Sequence, residues 1–177
     1  MKNFLLNLKV EQLYLIFMAT VGVLLVFLTP PFQTPDEMMH FSRAYQISEG
    51  IIRDPAVEQQ TQYGLKIYPH ASQPYDFLSL LSPEHENLAH EINYYGLSFT
   101  RKLFDIPIDY EKRIDVSIPN TGLYSPVVYV PQALFAFLTR NIFDSVGAVY
   151  YATRLGAFIF SVICIFISMK LLLEKNC

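Results

Sequence analysis

Four side chains that can move a proton or hold an anion stand close together in Thr34-Pro-Asp-Glu-Met-Met-His-Phe-Ser-Arg43: Asp36, Glu37, His40 and Arg43. A carboxylate can take the proton of an attacking hydroxyl. An imidazole can orient that carboxylate or join it in holding a metal ion, and a guanidinium binds phosphate oxygens two at a time. At i, i+4 and i+7, Asp36, His40 and Arg43 share one face of a helix. The catalytic candidates are therefore Asp36 and Glu37, and the candidates for binding substrate or phosphate are His40, Arg43 and, far downstream, Arg154. Asp36 with His40 could hold a divalent cation, magnesium or manganese. Each residue also has a plain structural reading. Acids in a first helical turn stabilise it by about 0.3–1 kcal/mol through the helix dipole. A histidine packs, and an arginine meets lipid headgroups or anchors a helix at the interface.

A membrane-length run precedes these residues. Leu13 to Phe32 carries no charge, and about 20 apolar residues cross a hydrocarbon core of roughly 30 Å. The span 13–32 follows a short tail, 1–12, and places the acid pair where hydrocarbon gives way to water. Thr29-Pro-Pro-Phe-Gln-Thr-Pro lacks the small residues of a cleavage site, so the run reads as an anchor and not a removed signal. A second span, 146–173, is interrupted only by Arg154 and Lys170. Its apolar centre, Leu155 to Met169, reaches spanning length if Tyr150, Tyr151 and the stem of Arg154 lie in the interface. Lysines 2, 9, 170 and 175 mark both short tails (the second is 174–177) as cytoplasmic, and the long acidic segment 33–125 as extracytoplasmic.

Within that segment, Thr34 as N-cap, Pro35 at the first position and Glu37 at the third form a capping box. They predict a helix over about 35–49, stopped by Gly50. Met38, Phe41 and Tyr45 line an adjacent apolar stripe, so the helix is expected to be amphipathic and to lie on the membrane surface. A helix from Ser82 to about Tyr95, a short strand at Tyr63–Tyr68 and scattered prolines suggest a small irregular domain. His85 and His90 among Glu84, Glu86 and Glu91 read as a solvated face. The apolar stretch 126–140 is too short to span and reads as a re-entrant or interfacial helix. Cys164 and Cys177 receive no role. With 52% hydrophobic and 15% aromatic residues and a net charge of −3, the chain suits a mainly α integral membrane protein with a folded loop. Nucleic acid is not an expected partner.

Three motifs occur in order: Pro-Pro-Phe-Gln-Thr-Pro-Asp-Glu-x-x-His-Phe-x-Arg-Ala-Tyr, Tyr-Ser-Pro-Val-Val-Tyr-Val-Pro-Gln-Ala and Tyr-Ala-Thr-Arg-Leu. Together they resemble the bacterial membrane family called domain of unknown function 2142. That family is similar to the GT-C class of glycosyltransferases, multi-span enzymes that use a polyprenyl-phosphate-linked sugar on the outer face of the bacterial inner membrane. The resemblance implies that the acidic motif after the first span, here Asp36 and Glu37, supplies the catalytic carboxylate. GT-C enzymes have many spans and build the carrier pocket from later helices. The chain is therefore expected to be the N-terminal part of a glycosyltransferase serving cell-envelope polysaccharide, inactive alone. The alternative is a non-catalytic two-span subunit whose outer domain binds other envelope-assembly membrane proteins.

Overall fold

The computed structural model describes residues 9–32, 34–53, 70–77 and 101–175. The expected strand at 63–68, the helix at 82–95 with His85 and His90, and Cys177 lie outside these residues. The described part is mainly helical, and two of its helices are long and apolar enough to cross a membrane: Val10–Leu28 (α1) and one beginning at Val146. The latter, α4, runs over Val146–Lys175. At 1.5 Å per residue α4 is about 45 Å long, more than a hydrocarbon core needs. Its first turns are packed in protein, with Val146, Val149, Tyr150, Tyr151 and Thr153 all buried, while Ile159, Phe160, Ile163 and Ile165 further on are exposed. The length that remains from Leu155 to Leu173 matches α1.

Two small residues let the helices close up. A Cβ on Gly22, in the π-helical turn Met18–Gly22 of α1, would stand 2.6 Å from the Phe158 ring of α4. A Cβ on Gly156 would stand 2.6 Å from the carbonyl oxygen of Pro131. Pro131 belongs to α3, Val130–Arg140, which follows a 3-10 turn at Pro126–Tyr129. A short link then folds α4 back antiparallel against α3. Ser145 fixes that link: its Oγ accepts from the Ala148 N–H (3.3 Å) and donates to the Phe104 carbonyl (2.9 Å).

The helix carrying the chemical candidates, α2, spans Glu37–Ser48 and does not begin at Pro35. Asp36 adopts the left-handed conformation, φ 61° and ψ 4°, as does Phe32 with φ 58°. Asparagine and aspartate tolerate that region better than other non-glycine residues. The capping box does not form: the Thr34 hydroxyl donates to the Glu37 carboxylate (2.9 Å) instead of capping the turn. The left-handed residues reverse the chain sharply after α1, and the reversal swings Glu37 back toward α4. Nor is α2 an amphipathic surface helix, because Phe41, Ser42, Arg43, Ala44, Tyr45 and Gln46 are all buried. One side meets α3, and another meets an antiparallel pair, β1 (His70–Pro74) and β2 (Arg113–Ser117), with His70 opposite Ser117 and Pro74 opposite Arg113. Aromatic rings fill the middle: Phe77 lies 5.0 Å from both Phe41 and Tyr45. Gly50, with φ 87°, turns the chain out of α2.

Candidate functional site

Arg154, one turn beyond Tyr150 on α4, reaches across to the end of α1. Its Nε donates to Glu37 Oε1 at 2.6 Å and its Nη2 to Glu37 Oε2 at 2.9 Å, a two-pronged ion pair. Nη1 donates to the carbonyls of Val26 (3.1 Å) and Thr29 (2.5 Å), and Nη2 to that of Pro30 (3.0 Å). A guanidinium has five N–H donors, and here all five are engaged. Carbonyls at a helix C-terminus lack partners within the helix and carry partial negative charge. A cation from the other span therefore suits that end of α1. The Tyr150 hydroxyl donates to Glu37 Oε1 (2.7 Å) and accepts from the Phe32 N–H (3.2 Å). The side chains of Arg154 and Glu37 are only 14% and 15% exposed. Burial pushes the Glu37 carboxyl up, but the bonds from Arg154, Tyr150 and Thr34 outweigh it and leave the group below the ordinary 4.5.

The other candidates divide. Asp36 is exposed, and its carbonyl accepts from the His40 N–H at 3.0 Å. His40 Nδ1 lies 2.9 Å from the Tyr129 hydroxyl. Burial pushes the Tyr129 phenol up to about 12, so it stays protonated beside the imidazole. Arg43 is fully buried, donating to the Gln46 side chain and, at 2.7 Å, to the Ile52 carbonyl. The expected common face of Asp36, His40 and Arg43 is thus not formed. Helical spacing cannot reach back through the left-handed Asp36, and Arg43 turns inward to the protein core.

Glu37, His40 and Arg154 do converge, on a cleft of about 120 Å³ that Gln132, Tyr150 and Thr153 also line. Behind the ion pair, an open groove of about 470 Å³ runs between α1 and α4, lined by residues such as Met18, Leu25 and Phe158. Among the described residues, no three His, Cys, Asp or Glu side chains gather as a metal set. Tyr129, Gln132 and Tyr150 join the site beside the candidates named from the sequence. The first two lie in the Tyr-Ser-Pro-Val-Val-Tyr-Val-Pro-Gln motif, a signal that was available. Tyr150 read only as an interfacial ring.

Fold and site together define a helical membrane protein in which a buried arginine ties its two apolar helices to an acidic turn. A family model described as "Predicted membrane protein (DUF2142)" matches residues 19–176, and the chain belongs to that family. No curated protein and no solved structure matches it.

Proposed function

We propose that the chain is the N-terminal part of a membrane glycosyltransferase of GT-C type, which moves a sugar from a polyprenyl-phosphate carrier to a cell-envelope glycan on the outer face of the inner membrane. The observation that carries this reading is the pairing of an exposed carboxylate, Asp36, with a rigidly held neighbour, Glu37, at the end of a membrane-length helix. The GT-C class sets its acidic motif at that place.

In this reading Asp36 is the base. The acceptor hydroxyl gives its proton to the Asp36 carboxylate while its oxygen bonds to the anomeric carbon. The bond from that carbon to the phosphate oxygen breaks, and polyprenyl phosphate leaves with the electron pair. Positive charge must meet that phosphate, and GT-C enzymes build the pocket for the carrier from later helices. Glu37 and Arg154 act by positioning, because their charges are spent on each other. Arg43, enclosed within the fold, supports α2.

A non-catalytic two-span subunit is the second reading. What favours it is the same Glu37–Arg154 pair, since a purely structural staple would be built that way. Membranes carrying the complete reading frame of the gene separate the two. Asp36→Asn should lower sugar transfer about 100-fold or more, the usual weight of a general base. Transfer undiminished by Asp36→Asn would sink the catalytic assignment.

A further inference from the structure

We propose that the open groove between α1 and α4 is a fixed phospholipid site, holding one acyl chain of a zwitterionic lipid from the leaflet at the Arg154 end. The inference does not rest on the sugar transfer proposed above. The groove lies at hydrocarbon depth. On α1 it extends from Met18 to Thr29, about 16 Å of helix at 1.5 Å per residue. That is roughly half of a 30 Å hydrocarbon core, the depth of a single leaflet. Met18, Leu25 and Phe158 make the walls apolar, and the contact of Gly22 with the Phe158 ring forms a floor. Met18 and Gly22 are the two ends of the π-helical turn in α1, and single π turns inside helices frequently mark functional sites. Leu25 lines the groove and is exposed, as are its neighbours Leu24 and Leu28. The groove is therefore continuous with the lipid-facing side of α1.

The mouth of the groove decides the head group. Glu37 and Arg154 stand there and cancel each other's charge. Every N–H of the guanidinium is engaged, by Glu37 and by the carbonyls of Val26, Thr29 and Pro30. The Thr34 hydroxyl is bound to Glu37. An anionic head group finds no free cation at this mouth, so a lipid of zero net charge is preferred. One donor is left over. The Thr29 hydroxyl, on a half-buried residue of the lining, makes no hydrogen bond among the described residues. It stands at the end of α1, where hydrocarbon gives way to head groups, and it can donate to the ester carbonyl of the lipid.

The test reconstitutes the chain in vesicles of equal parts phosphatidylethanolamine and phosphatidylglycerol, releases it into mild detergent and weighs it by native mass spectrometry. One phosphatidylethanolamine should stay with each chain. Ser161→Phe sets a ring into the groove from an exposed position of α4 and should cut the retained lipid about tenfold or more. Thr29→Val keeps the side-chain shape without the hydroxyl, and should cut retention about fivefold, the weight of one hydrogen bond. The proposal is overturned if the parent retains no lipid, if phosphatidylglycerol is retained as readily, or if Ser161→Phe and Thr29→Val hold as much lipid as the parent. A polyprenyl phosphate added to the vesicles should leave the phosphatidylethanolamine in place; its displacement would assign the groove to a sugar carrier and overturn the proposal as well.

Discussion

At the residue scale, two adjacent acids have opposite environments. Glu37 gives its whole carboxylate to Arg154, Tyr150 and Thr34, while Asp36 is exposed in a left-handed turn. Removing one partner of a buried pair leaves an uncompensated charge, at about 3–5 kcal/mol. Arg154→Leu should therefore destabilise by about that much in chemical unfolding, and adding Glu37→Gln should recover part of the loss. The pH dependence follows from the lowered Glu37 carboxyl. A group whose folded pKa is depressed contributes stability that is complete above its unfolded value and is lost as pH falls through the folded one. Melting temperature should thus hold above pH 4.5 and fall below it, with the Glu37 share of that slope absent from Glu37→Gln. The acid pair was legible in the sequence, but its division was not. The partner of Glu37 lies 117 residues away, and local capping rules assigned Glu37 to the helix turn itself.

At the scale of elements, both apolar helices could be read from composition, because a charge-free run of that length has few alternatives. The first runs over Val10–Leu28 and ends short of the expected 32, because Pro30 and Pro31 stop it. The start of α2, at Glu37, differs from the expected Pro35. Thr34-Pro-Asp-Glu satisfies the capping rules, yet the tertiary demand of Arg154 overrides them. The β1–β2 pair has a weak sequence signature, because His-Ala-Ser-Gln-Pro has little strand character. The tight α3–α4 hairpin yields its own prediction. Gly156→Val would drive side-chain atoms into the Pro131 carbonyl, and overpacking of this kind costs about 1–3 kcal/mol. Thermal unfolding followed by circular dichroism should show the loss, and an unchanged melting point would mean α3 does not sit where Gly156 requires.

At the scale of the whole molecule, Arg154 joins what a bilayer would otherwise leave loosely associated. Apolar helices gain no hydrophobic drive toward each other within lipid. Here a guanidinium bonds the last carbonyls of one helix from the side of the other. The sequence expectation puts both termini on one side of the membrane and α2 with the β1–β2 pair on the opposite side. In a background lacking Cys164 and Cys177, an impermeant maleimide should label Asn120→Cys from outside intact cells and leave Lys9→Cys unlabelled; the reverse pattern would invert the orientation. The acid pair is divided: Glu37 is held in the fold by Arg154, and Asp36 stays exposed. Side-by-side unfolding of Glu37→Gln and Asp36→Asn measures that division. Glu37→Gln should lose stability sharply and Asp36→Asn should change it by no more than about 0.5 kcal/mol, as at an ordinary surface position; equal drops for the two would mean that the acids share one role.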